Sequence, residues 1–224
     1  MNNENIKKIV EDLIATFLYA GQVALDLRDK GLKKKMKSDN TPVSNGDIKV
    51  NEILTTKIKT LTPNLPIISE ESSENKDKKN LNDFWLIDPI DGTYDYINNL
   101  EEFTLNAGLI LKNQPAGGLI FAPAKKRMFY SYGSDNAYEG IGEKKVKLEC
   151  SKNFNKNFVK FFSYSNNIKP EIESIHRKLN VKEFVKMKSS LKFCVIAAGE
   201  YDGYVAEPRA RAVSYTHLRA HETV

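Results

Sequence analysis

Trp85-Leu86-Ile87-Asp88-Pro89-Ile90-Asp91-Gly92-Thr93 is an apolar run that stops at two carboxylates three residues apart. The run predicts a buried strand, Pro89 an exit from the sheet, and Gly92 a close approach of the backbone to a ligand. If the chain turns helical after Gly92, its N–H groups and the Thr93 hydroxyl face the same point as the two acids. That makes an anion site beside a hard-cation site, for which Mg²⁺ with a phosphate is the natural pairing. Upstream, Leu65-Pro66-Ile67-Ile68-Ser69 reads as a second short buried strand ending in Glu70 and Glu71. Two adjacent strand ends would gather three or four acidic oxygens. A plainer reading stays open: Asp88 as a helix N-cap in a capped turn, with the acids merely solvated.

Outward from this stretch, Ile6, Ile9, Val10, Leu13, Ile14, Phe17, Val23, Ala24 and Leu27 fall at helical spacing, closed by Gly31. A polar loop follows, and a second helical pattern runs from about Ile48 until Thr62-Pro63 stops it. From Phe103 the pattern changes to short strand-like runs separated by turn residues, an antiparallel meander. Near residue 150 it turns again: Phe158 to Tyr164 predicts a strand, Pro170 to Leu179 a helix, and Ser189 to Gly199 a helix opened by a serine cap. The fold class is α+β or α/β. The expected organisation is an N-terminal α+β domain over 1–150 carrying the acids, a partial α/β domain over 151–210, and a tail over 211–224.

The chain has 224 residues, 41% apolar and 28% charged, the balance of an ordinary soluble globular protein. No run approaches the roughly 18 apolar residues of a membrane span, so no integral membrane segment is expected. The amino terminus lacks the basic patch of a signal peptide, which makes the cytoplasm the expected compartment. Cys150 and Cys194 stand in no metal-ligand spacing. The net charge of +5 comes from lysines interleaved with acids, so nucleic acid is not expected as a partner, while a small anionic substrate is favoured.

The run Asp88-Pro89-Ile90-Asp91-Gly92-Thr93 resembles the metal-binding signature of the inositol monophosphatase superfamily, and Ile68-Ser69-Glu70-Glu71 its upstream glutamate segment. The stretch from Lys37 to Asp47, KSDNTPVSNGD, resembles the family's K-x-D-x-S-P-V-T-x-x-D loop. The likeness covers most of residues 5–207. Tyr94 to Ile97, Glu102 to Asn106, Phe121 to Ala124 and Ser189 to Cys194 are similar to the bacterial bisphosphate nucleotidases, the CysQ-like branch. Ser163-Tyr164-Ser165-Asn166 departs from that branch's S-R-S-H, which puts an arginine and a histidine near the nucleotide pocket in doubt.

The resemblance implies a layered αβαβα sugar-phosphatase fold with its C-terminal part incomplete, and a magnesium-dependent phosphatase. The substrate it implies is a small phosphate ester, 3'-phosphoadenosine 5'-phosphate, cleaved to AMP in sulfate assimilation, with lithium as an inhibitor. Alternatives are an inositol monophosphate or another sugar phosphate, and an inactive phosphate-binding fragment. Glu70, Asp88 and the Ile90 carbonyl would hold one Mg²⁺, with Asp88 bridging to a second ion also held by Asp91. Glu70 and Thr93 count among the catalytic groups. Thr93, polarised by Asp47, would orient the attacking water, and the amides of Gly92 and Thr93 would bind phosphate. Asp47 reads equally as a helix N-cap before Ile48. Ser190 and Lys192 would contact the nucleotide's other phosphate or ribose, or serve as a cap and a solvated lysine. A homodimer is common in such proteins.

The family's W-D-x-A-A-G motif, whose aspartate is a further metal ligand, has no counterpart: the single Trp is Trp85. Residues 211–224 resemble no phosphatase segment and read as a non-native end of a shortened reading frame. His217 and His221 as an i, i+4 metal pair are the alternative there. Weak binding of the second ion and little activity are expected of the chain as written.

Overall fold

The computed structural model describes residues 1–36, 42–72, 81–150, 155–163 and 165–205. Residues 37–41 of the family-like loop, Tyr164, and the tail with His217 and His221 lie outside the described residues.

Helix α1 (Asn3–Asp29) starts at Asn2, whose side chain accepts from the Asn5 amide, and ends at Lys30, ahead of a left-handed Gly31. Its buried stripe includes Val10, Leu13, Phe17 and Ala24, as the periodicity predicts. Full burial of each large side chain contributes about 1.5–3 kcal/mol. The segment expected to be a polar loop contains two short strands, β1 (Lys34–Met36) and β2 (Pro42–Ser44), paired antiparallel. Helix α2 (Asn45–Leu61) begins three residues earlier than its apolar pattern suggests, because Ser44 caps it.

Strands β3 (Ile67–Ser69) and β4 (Phe84–Asp91) run parallel, and helix α3 (Thr93–Ile97) follows directly. The meander is β5 (Thr104–Leu111), β6 (Gln114–Ala122), β7 (Arg127–Tyr132), β8 (Ala137–Glu139) and β9 (Val146–Lys147). Each successive pair from β4 to β9 is antiparallel, in one seven-stranded sheet. Beyond it come β10 (Val159–Ser163), α4 (Pro170–Lys178), β11 (Val181–Lys186), α5 (Leu191–Ala197) and β12 (Gly203–Tyr204), the strands forming a parallel sheet in the order β11-β10-β12. Strand β11, Val-Lys-Glu-Phe-Val-Lys, is mostly exposed, and the sequence pattern does not predict it because its charged residues hide the strand period.

Register explains the layers. Side chains alternate across a pleated sheet, so Trp85 and Ile87 share one face of the seven-stranded sheet with Leu105, Ala107 and Leu119, packed with α1 and α2 in the main core. Ala122 and Phe129 lie on the opposite face and pack with Leu191, Cys194 and Val195 of α5 and with Phe162 of β10. Phe161 points the other way, edge-on to His176 of α4 at 5.5 Å between centroids. The order is therefore helices α1 and α2, the large sheet, α5, the small sheet, and α4: the expected αβαβα stack. Phe193 is exposed, but Cys194 and Val195 are buried in that stack.

Candidate active site

The expectation that Pro89 drives the chain out of the sheet is wrong in an informative way. Strand β4 continues to Asp91, and the register slips: Asp88 pairs with Asn106 and Asp91 with Thr104. Three steps on β4 thus match two on β5, a bulge of one extra residue. In an unbroken strand residues three apart point to opposite faces; the bulge returns Asp88 and Asp91 to one face, shared with Thr104 and Asn106. That is the face covered by α5. Pro89 has no N–H for the ladder, which suits it to the bulge, and Ile90 enters the core at 1% exposure.

Parallel pairing supplies the third acid. Ser69 is opposite Ile87, and the Glu70 amide donates to the Ile87 carbonyl at 3.1 Å, which carries Glu70 alongside Asp88. Glu70 lies close enough for its charge to act on Asp88. Burial, then the charges of Asp91 and Glu70, drive the Asp88 carboxyl well above the usual carboxylate range. Asp88 Oδ1 is buried with no hydrogen-bond partner among the described residues. As they stand, no three His, Cys, Asp or Glu side chains among the described residues form a metal-holding group. Glu70 is exposed and able to change rotamer. Hard oxygen donors gathered around an orphaned buried carboxylate oxygen fit a hard divalent cation.

Asp47 is not an N-cap; that place belongs to Ser44, with Asp47 three residues on in a capping box. Its Oδ2 accepts from the Ser44 amide at 2.8 Å and the Ser44 hydroxyl at 2.6 Å. Its Oδ1 lies 3.2 Å from Thr93 Oγ1, which is also 3.0 Å from the Ile90 carbonyl. The structural and catalytic readings therefore use different oxygens of one carboxylate. Burial raises the Asp47 carboxyl above its usual range, opposed by the hydrogen bonds from Ser44 and Thr93.

Gly92 has φ 92°, and a Cβ there would sit 2.8 Å from the Glu102 carbonyl oxygen. This turn launches α3, a helix of five residues, and the buried Tyr96 anchors it by donating its hydroxyl proton to the Ala24 carbonyl at 2.7 Å.

From the opposite wall, Ser190 makes no capping bond. Its hydroxyl donates to Asn106 Oδ1 at 2.7 Å and lies 2.8 Å from Thr104 Oγ1. Thr104 and Asn106, which sequence reasoning did not place in the site, tie α5 to the face bearing the acids; two polar residues alternating within an apolar strand were the available signal. Lys192 is buried rather than solvated, with Nζ 2.7 Å from the Ser189 carbonyl and 4.7 Å from the Phe193 ring centroid. A separate cavity of about 380 Å³, lined by Asn51, Thr55, Lys59 and Ser72 among others, contains none of the candidate residues.

Comparison with known proteins identifies the family. The profile of the inositol monophosphatase family matches residues 4–214. The 3'(2'),5'-bisphosphate nucleotidase CysQ of Haemophilus influenzae is 34% identical over 206 residues, covering 88% of this chain and 74% of that protein. CysQ of Aggregatibacter actinomycetemcomitans is 30% identical over 200 residues, with the same two coverages of 88% and 74%. The crystal structure of CysQ from Bacteroides thetaiotaomicron has the same fold, with a TM-score of 0.69 at 23% identity over 90% of this chain and 79% of that one. Among the described residues no helix is long and apolar enough to cross a membrane. By its profile, its relatives and its layered fold, the chain belongs to the inositol monophosphatase family of phosphatases.

Proposed function

We propose that this chain is a Mg²⁺-dependent phosphomonoesterase that removes the 3'-phosphate of adenosine 3',5'-bisphosphate, leaving AMP and phosphate. The observation that carries the chemistry is the β4 bulge, which aims Asp88 and Asp91 from one face beside Glu70. The substrate class is carried by likeness to proteins named 3'(2'),5'-bisphosphate nucleotidase.

Glu70, Asp88, Asp91 and the Ile90 carbonyl would hold the ions. Bound Mg²⁺ would supply charge neutralisation on the phosphoryl oxygens and a more acidic water. The protein's own contribution is positional and protolytic. Asp47 Oδ1 orients the Thr93 hydroxyl, which passes a proton from the attacking water towards the Asp47 carboxylate. Oxygen attack on phosphorus then breaks the bond to the 3'-oxygen, which takes a proton from solvent. The Gly92 turn brings backbone N–H groups to the phosphate. Ser190, fixed by Thr104 and Asn106, lines the opposite wall.

Phosphate release from adenosine 3',5'-bisphosphate and from inositol 1-phosphate, with Mg²⁺ or with EDTA, tests the proposal. Slow Mg²⁺-dependent release that favours the nucleotide and is lost in Asp91→Asn is expected. Preference for the inositol ester would move the substrate within the family, and release insensitive to EDTA and to Asp91→Asn would overturn the proposal.

A further inference from the structure

One ion pair joins α3 to the segment that precedes α5 and has no part in the chemistry above. Lys188 lies between β11 and α5, and its Nζ donates to Asp95 Oδ1 of α3 at 3.1 Å. The Asp95 side chain is 3% exposed, and its Oδ2 is buried with no hydrogen-bond partner among the described residues. The same ammonium sits 4.9 Å from the ring centroid of Tyr94, which is 63% exposed. Both ends of the pair are tethered to the site. Asp95 is two residues beyond Thr93, and Lys188 two residues before Ser190, a reach of at most about 7 Å along the chain. Between them, Ser189 takes φ 48°, a left-handed conformation unusual for a residue with a side chain.

A partly buried ion pair is a poor means of closing a seam, since apolar residues of similar size often hold as well or better. This pair also leaves a carboxylate oxygen unsatisfied, which favours a role for the cation over one for the seam. An ammonium has three donors, and a quarter of the Lys188 side chain, 25%, is open to solvent. Lys192, by contrast, is buried against the Ser189 carbonyl. Lys188 is therefore the ammonium at this junction that is both held in place and open to a ligand.

We propose that Lys188, oriented by Asp95 and flanked by the Tyr94 ring, is a specificity residue that binds the non-scissile anionic group of an ester whose scissile phosphate lies at Thr93. The inference rests on the phosphatase reading and names the residue that holds the second anionic group of such an ester. Asp95 is a positioning residue, because it acts through Lys188.

The test compares calorimetric affinities, with Mg²⁺ present, of adenosine 3',5'-bisphosphate and adenosine 3'-monophosphate for the full chain and for Lys188→Met, Lys188→Arg and the double variant Lys188→Met/Asp95→Asn. The double variant guards against unfolding caused by a stranded Asp95. Wild type should prefer the bisphosphate. Lys188→Met and the double variant should lose about 10-fold to 100-fold in bisphosphate affinity, the worth of one charge-assisted hydrogen bond, with monophosphate affinity within about twofold of wild type. Lys188→Arg should retain most of the preference. Equal weakening of both ligands, an unchanged preference, or a wild type without preference overturns the inference. Phosphate release measured in parallel separates it from the reading beneath it. A Lys188-dependent preference without turnover keeps the inference and sinks the hydrolase; turnover with a preference indifferent to Lys188 does the reverse.

Discussion

Asp88→Asn should stabilise the metal-free protein while destroying its response to divalent cations. The substitution keeps the shape of the side chain and removes its charge. In wild type, Asp88 is buried among Asp91, Glu70 and Asp47, with Oδ1 lacking a partner among the described residues. A buried polar group left unsatisfied costs about 1–3 kcal/mol, and a neutral asparagine removes the repulsion between Asp88 and the charges of Asp91 and Glu70. A gain of about 1–2 kcal/mol at pH 7 is expected, or roughly 2–8 °C in melting temperature for a chain of this size. The pH dependence has a definite sign. The folded Asp88 carboxyl is raised above its unfolded value, so the native state holds the extra proton. Wild-type stability from this group is fully present below about pH 3.9, the unfolded value, and is lost as pH rises through the folded one. The advantage of Asp88→Asn should therefore shrink as pH falls towards 4. With Mg²⁺ the order should reverse, because ligand binding to the native state stabilises wild type by mass action. Thermal melts in EDTA and in Mg²⁺ at several pH values would show this. A variant less stable than wild type in EDTA at pH 7, with both proteins gaining equally from Mg²⁺, would show that Asp88 is neither strained by its neighbours nor a cation ligand.

Three further outcomes are expected. Gly92→Ala should cost about 2–4 kcal/mol, combining left-handed strain with a backbone clash at Glu102; a urea midpoint within about 0.5 kcal/mol of wild type would count against the turn. Thr93→Val should lower kcat about 100-fold or more with little change in melting temperature, and a loss below about threefold would remove Thr93 from the proton path. His176 is buried against Phe161 and Phe184, its Nε2 has no hydrogen-bond partner among the described residues, and burial lowers its pKa. The neutral form is the folded one, so stability from this site is complete above about pH 6.5 and falls as pH drops below it, by at most about 1.4 kcal/mol per pH unit. His176→Phe should flatten that slope relative to wild type, and equal slopes in denaturant titrations would show that the imidazole is not the cause.

Much of this architecture was legible because local pattern and tertiary demand agree. The stripe from Ile6 to Leu27 could be buried only as a helix face, and the strand runs ending at Ser69 and Asp91 could expose acids only at their ends. What escaped was information held between segments. That Asp88 and Asp91 share a face depends on a bulge visible only against Thr104 and Asn106. Asp47 was placed in the right turn with the wrong cap position, because Ser44 and Asp47 are both good cap formers and only the geometry shows which one begins the helix. Ser190 looked like a helix cap, yet its hydroxyl is drawn to residues 84 and 86 positions away. Lys188 and Asp95, 93 positions apart, gave no local signal at all.

Everything in the catalytic account depends on the three carboxylates taking up a divalent cation. Calorimetric titration of the full chain with Mg²⁺, alongside Glu70→Gln and Asp91→Asn, tests that dependence most directly. Saturable binding is expected in wild type, weakening by about tenfold or more in each variant, the loss of one charged ligand. Mg²⁺ uptake that is absent in wild type, or unchanged by both substitutions, would contradict that dependence.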